Sequence, residues 1–230
     1  MKPGKQVRGV IFDVDGVLLD SMKIWNDLGA RYLTGIGKKP EEGISEILFS
    51  MSMEQGAEYL KSHYDLSLSV EEILTGLRNM LRDFYFYEVQ AKPGAKELLG
   101  ALREAGIPVT AATSSPREHI TRALERTGLL DKISRMFTNS EIGRSKHFPD
   151  IYDAAAQFME TEPEETWVCE DSLYALKTAA NAGYRTVGVF DERGEPDQEG
   201  LRKTADLYIR DLRGLNDYFL NIKSITPPKS

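Results

Sequence analysis

The sequence predicts an α/β fold, a doubly wound parallel sheet with an inserted α-helical module, on three observations. The chain has 230 residues, more than one compact domain usually holds and barely enough for two. From Lys92 onward, short β-branched or apolar runs alternate with amphipathic stretches, the pattern of strands joined by crossover helices. Between Ser21 and Gln90 only the helical period is present. The expected organisation is an α/β core made of residues 1–20 and 91–230, with residues 21–90 as a separate small helical domain.

Each element has its own signal. Val7 to Phe12 is a short apolar run that stops at Asp13-Val14-Asp15-Gly16, a buried strand ending in a polar turn. Trp25, Leu28, Tyr32 and Leu33 share one helical face, and Val70, Ile73, Leu74, Leu77, Met80, Leu81 and Phe84 form a longer stripe that Ser69 and Glu72 begin with a capping box. Pro93 suits the first turn of a helix through Leu98, Leu99, Leu102 and Ala105, ended by Gly106. Val109 to Ala112 is a strand, and Ser115, Pro116 and Glu118 supply an N-cap, a first-turn proline and a capping acid for a helix that stops at Gly128. Met136 to Thr138 is a weaker strand, and Pro149 opens a helix through Phe158. Trp167 to Cys169 is a strand, Leu176 to Ala182 a helix closed by Gly183, and Thr186 to Val189 another strand. Leu207 to Ile209 is placed at the sheet edge, and the tail Thr226 to Ser230 is expected to fray.

Composition narrows the function. With 41% hydrophobic and 28% charged residues the chain is globular, and 29 basic against 36 acidic residues leave a net charge of −7. Nothing global then attracts nucleic acid or an anionic membrane. The single cysteine, Cys169, forms no disulfide framework and sits in an apolar run, so it is expected to be core. His63, His119 and His147 have no metal-ligand spacing. Without an apolar signal region or a stretch of about 18 apolar residues, the expectation is a cytoplasmic protein with neither nucleic-acid nor membrane partner. No feature of the sequence sets an oligomeric state.

In parallel sheets ligands gather beyond the carboxyl ends of the strands. There stand Asp13 and Asp15, then Thr113 and Ser114, then Lys146, then Glu170 and Asp171. Carboxylates suit a hard divalent cation, and one carboxylate can attack phosphorus. The set points to magnesium-dependent phosphoryl transfer.

Asp13-Val14-Asp15-Gly16-Val17-Leu18-Leu19-Asp20-Ser21, Ala112-Thr113-Ser114-Ser115, Ser145-Lys146-His147-Phe148-Pro149-Asp150 and Glu170-Asp171-Ser172 resemble the four ordered motifs of the haloacid dehalogenase superfamily. The resemblance spans Asp13 to about Val189, and within the superfamily the chain resembles the β-phosphoglucomutase/phosphoglycolate phosphatase-like group. It implies a Rossmann-like core with the helical segment as a cap domain. It implies that Asp13 becomes phosphorylated and that Asp15 protonates the leaving alcohol, then deprotonates the attacking water. Mg²⁺ would be held by the carboxylates of Asp13 and Asp171 and the backbone carbonyl of Asp15, with Glu170 either ligating it or orienting a bound water. Thr113 and the Ser114 amide would bind phosphoryl oxygens, and Lys146 would balance charge between phosphate and Asp13. Ser115 is assigned only its capping role.

The departures carry information. His147 stands where the family often has proline, and Ala175 where glycine is common. Trp25 and Met53 occupy the positions of the histidine and the cap arginine with which β-phosphoglucomutases hold a second phosphate. Trp25, Met53 and Lys38 are the candidate specificity residues of a cap that closes as a lid; Met51 and Met53, with Ser50 and Ser52, either line an entrance or form a helix-to-helix turn. The expected activity is hydrolysis of a small organic phosphate monoester, a sugar or polyol phosphate, the partner being a small phosphorylated metabolite. The alternatives are a phosphosugar mutase and a non-enzymatic phosphate-sensing protein. A mere phospho-acceptor would not need Asp15, and the same residue argues against a dehalogenase.

Overall fold

The computed structural model describes residues 7–49 and 51–221, so the tail from Thr226 and Ser50 lie outside the described residues. The chain divides into two compact units, one formed by the chain up to Asp20 and from Gln90 onward, the other by Ser21–Val89.

The first unit is built on a six-stranded sheet, β1 (Gly9–Phe12), β2 (Val109–Thr113), β3 (Arg135–Thr138), β4 (Thr166–Glu170), β5 (Arg185–Val189) and β6 (Leu207–Ile209). The order is β3-β2-β1-β4-β5-β6 and every pair is parallel. Val10, Ile11 and Phe12 are wholly buried, as a strand covered on both faces must be. Because β1 pairs with β2 on one side and β4 on the other, its carboxyl end lies at the switch point of the topology. The register that sets Phe12 opposite Ala111 and Cys169 brings Asp13, Thr113 and Glu170 to one edge.

In the second unit the helices are α1 (Met22–Gly35), α2 (Ile44–Phe49), α3 (Met53–His63) and α4 (Val70–Asp83), the last running into a π-turn at Phe84–Glu88. No strand occurs among its described residues. The Ser69–Glu72 capping box closes in both directions, and Ser52 with Gln55 makes a second one at α3. Trp25 departs from the expected face: Ile24, Leu28, Gly29, Tyr32 and Leu33 are buried, whereas Trp25 is 37% exposed.

The first unit is completed by α5 (Ala95–Glu104), α6 (Arg117–Arg126), α7 (Asn139–Ile142), α8 (Asp150–Met159), α9 (Leu173–Asn181), α10 (Gln198–Thr204) and α11 (Leu215–Asn221). Ile151, Tyr152, Ala155 and Ala156 of α8 and Ala179 of α9 share a buried cluster with Ile11, Ala112, Phe137 and Val168. Trp167 alternates with Val168 and meets Tyr218 and Phe219 of α11, so helices cover both faces. Two expected helix starts differ. Pro93 precedes the α5 N-cap, Gly94, whose left-handed φ of 86° and close approach to the backbone of Leu212 and Arg213 leave no room for a side chain. At α6 the N-cap is Pro116, which makes no side-chain cap, because Ser115 is engaged elsewhere. Ala105, expected on the buried face of α5, is its exposed C-cap.

Candidate active site

Beyond β1 the chain reverses at once. The Asp13 amide continues the sheet by donating to Cys169 O at 2.9 Å, and the amides of Leu18 and Leu19 then fold back onto Val14 O at 2.9 and 2.8 Å. Gly16, at a φ of 77°, permits the reversal. Val14, Val17, Leu18 and Leu19 are buried, so apolar anchors fix the turn that carries Asp13 and Asp15.

Lys146 follows α7 and is only 2% exposed. Its ammonium donates to Asp13 Oδ1 and, at 2.7 Å, to Glu170 Oε1. Burial opposes that charge, but the attraction and hydrogen bonds of the two carboxylates outweigh it and hold the lysine protonated. Glu170 is 1% exposed, and its Oε1 also accepts the Tyr152 hydroxyl at 2.8 Å. Burial, Glu170 and Asp13 raise the Tyr152 pKa well above the usual phenol value, so it remains a donor. Asp13, Glu170 and Asp171 each place one oxygen within 4.8 Å of the others. Burial, then like charge, pushes Asp13 and Asp171 above the ordinary carboxylate range.

The end of β2 adds hydroxyls. Thr113 is buried and its Oγ1 accepts the Ser115 amide at 3.1 Å, while Ser115 Oγ donates to Asp15 Oδ2 at 2.6 Å. Ser114 is exposed, and its Oγ accepts Asn139 Nδ2 at 2.8 Å. His147 lies over Tyr174, with ring centroids 4.5 Å apart.

Residues 10–189 match the family of haloacid dehalogenase-like hydrolases. The chain belongs to that family. This hydrolase is 26% identical over 204 residues to a bifunctional riboflavin kinase/FMN phosphatase of Arabidopsis thaliana, covering 88% of the chain and 53% of the relative. It therefore spans about half the length of that protein. It is 24% identical over 181 residues to a phosphorylated carbohydrates phosphatase of Thermotoga maritima, covering 79% of the chain and 84% of the relative. Among solved structures, that of a haloacid dehalogenase family hydrolase from Deinococcus radiodurans R1, with bound phosphate and sodium, superposes with a TM-score of 0.76 at 26% identity. The alignment covers 96% of this hydrolase and 98% of that chain.

In this hydrolase the buried acids fit a hard divalent cation. Asp13 and Glu170 share the Lys146 ammonium and Asp171 lies in the same cluster, so more carboxylate oxygens converge there than one ammonium occupies. The structure brings Asp13, Lys146, Glu170 and Asp171 together, while the Asp15 carboxylate stands on Ser115, and Asp15 would join a metal only through its backbone carbonyl. Cys169 is buried and takes no part.

Trp25 and Met53 belong to the helical unit, where with Leu28, Met51, Leu60 and Leu77 they line a cavity of about 220 Å³. Met51 and Ser52 link α2 to α3, so this segment is both a helix-to-helix turn and part of the cavity wall. Lys38 instead donates to Tyr64 O at 3.2 Å. Sequence reasoning assigns Ser115 only a capping role and passes over Tyr152, Tyr174 and the Lys92–Asp191 ion pair beside the Asp171 loop. Tyr152 carried one usable signal, its place six residues after the motif lysine.

Proposed function

We propose that this hydrolase is a Mg²⁺-dependent phosphatase that cleaves a small organic phosphate monoester, a sugar or polyol phosphate, through an aspartyl-phosphate. The observation that carries this reading is the buried Lys146 ammonium between Asp13 and Glu170, beside Asp171, with a second carboxylate, Asp15, two residues beyond Asp13. The family's phosphoryl chemistry and a relative named for phosphorylated carbohydrates support it.

In the first step an Asp13 carboxylate oxygen forms a bond to phosphorus in line with the breaking ester bond, and the Asp15 carboxyl gives its proton to the departing alkoxide. In the second, Asp15 takes a proton from water, whose oxygen attacks phosphorus and releases inorganic phosphate, restoring Asp13. Thr113 and the Ser114 amide hold the equatorial oxygens, and Lys146 offsets their charge. Asp13, Asp171 and the Asp15 carbonyl, with Glu170 alongside, would hold Mg²⁺, which would supply positive charge to offset that of the phosphate and the nucleophile.

Trp25 and Met53 stand where β-phosphoglucomutases carry a histidine and a cap arginine for the second phosphate that a mutase must keep, and neither side chain can supply that cation. Hydrolysis is favoured over phosphosugar isomerisation on that ground. The test is release of phosphate from 4-nitrophenyl phosphate: turnover with Mg²⁺, none with EDTA, and none in Asp13→Asn. Persistent turnover in that variant overturns the nucleophile assignment. A panel of phosphorylated metabolites ranked by kcat/KM is expected to place sugar and polyol phosphates first, and conversion of β-glucose 1-phosphate to the 6-phosphate would instead establish the mutase.

A further inference from the structure

We infer that Tyr152 is a positioning residue for the metal site, acting through Glu170; the inference rests on the phosphatase reading for its kinetic arm only. Tyr152 lies in the first turn of α8 with no exposed surface, and its hydroxyl donates to Glu170 Oε1 at 2.8 Å. The same oxygen accepts the Lys146 ammonium at 2.7 Å. A carboxylate oxygen has two in-plane acceptor sites, and here both are filled. Glu170 is therefore left with Oε2, near which Ser172 Oγ lies at 3.5 Å, too far for a strong bond.

Two consequences follow. The carboxylate of Glu170 cannot swivel to present Oε1 to a cation without breaking two buried hydrogen bonds, so it meets a metal or a metal-bound water with Oε2 alone. The Tyr152 bond also stabilises part of the Glu170 charge, so Lys146 is not drawn wholly toward Glu170 and stays within reach of Asp13. One segment, from Lys146 into α8, supplies both donors, and the turn between them sets their separation. Outer partners of this type typically govern metal affinity or activity by about 10–100-fold.

The experiment is Tyr152→Phe, which keeps the packed ring and removes only the hydroxyl. The expected result is an unchanged KM for 4-nitrophenyl phosphate, a kcat lowered about tenfold, and binding of Mg²⁺ alone, titrated calorimetrically into metal-free protein, weakened about tenfold. Unchanged kcat together with unchanged Mg²⁺ binding overturns the inference. A double-mutant cycle separates positioning from packing. Added to Glu170→Ala, the Tyr152→Phe change should cost no further kcat, whereas a fully additive loss shows that Tyr152 acts by another route and also overturns it. If Glu170→Ala does not fold, the single variant decides. If the wild-type protein hydrolyses no phosphate ester, the phosphatase reading fails but the Mg²⁺ titration still decides: weaker binding in Tyr152→Phe supports the positioning role, and equal binding overturns it.

Discussion

Ser115 Oγ donates to Asp15 Oδ2 at 2.6 Å, joining residues one hundred positions apart and tying the turn after β1 to the end of β2. The bond holds the proposed acid–base carboxylate in one orientation, and Ser115 is itself fixed by its amide on Thr113. Ser115→Ala is expected to lower kcat/KM for glycerol phosphate about tenfold, a fraction of the 10²–10⁴ that general acid–base catalysis supplies. The loss should be much smaller for 4-nitrophenyl phosphate, whose leaving group departs without a proton. Equal losses for the two esters would show that Ser115 does not act through Asp15.

Lys146 is the second target. Its replacement by methionine approximates the apolar stem of the side chain but leaves Asp13 and Glu170, both buried, without their shared ammonium. Removing one partner of a buried ion pair costs about 3–5 kcal/mol. Urea unfolding in EDTA should show a loss of that order, and Mg²⁺ should restore part of it by replacing the missing positive charge. A variant as stable as the wild type in EDTA would mean that the acids are not charged there.

The fold was legible because parallel strands bury both faces and so write themselves as short apolar runs, such as Val10-Ile11-Phe12 and Trp167-Val168-Cys169. The residues just beyond those runs, Asp13, Glu170 and Asp171, could be located for the same reason. Less legible was anything fixed by tertiary partners. Ser115 before Pro116 has the chemistry of a helix cap, and only the approach of Asp15 shows that its hydroxyl is used there instead. Tyr152 is patterned as a core aromatic, since its polar end is satisfied by an acid 18 residues on. In the helical unit α2 has six residues, too few to establish a period, and Trp25 falls beside the buried stripe although its neighbours Ile24 and Leu28 define it.

The Arg117–Glu141 pair predicts a pH dependence. Glu141 completes a capping box with Thr138 at α7 and accepts Arg117, which holds its pKa down at about 2 against a usual 4.5. The principal cause is the Arg117 hydrogen bond. A depressed carboxyl contributes stability above its unfolded pKa and loses it as pH falls through the folded one. Both side chains are more than 40% exposed, so after solvent screening the pair is worth less than about 1 kcal/mol. The gap in urea midpoint between wild type and Glu141→Gln should be constant above about pH 5 and should close between about pH 4.5 and 2. A gap that widens on acidification would contradict the assignment.

The helical unit offers a test of packing that leaves the catalytic residues untouched. Gly56 in α3 and Gly76 in α4 are both interior to helices, where glycine costs about 1 kcal/mol relative to alanine. Their surroundings differ. A methyl at Gly56 would find Leu48 Cδ2 at 3.6 Å, an ordinary contact, whereas one at Gly76 would lie 2.4 Å from Cε2 of Tyr32. That ring is buried and cannot simply move aside. Gly56→Ala should therefore stabilise the protein by about the helix term. Gly76→Ala should destabilise it, because overpacking of about 1–3 kcal/mol exceeds the same gain. Urea unfolding of the two variants reads the difference directly, and a shift of both in one direction would show that Tyr32 does not set the approach of α1 to α4.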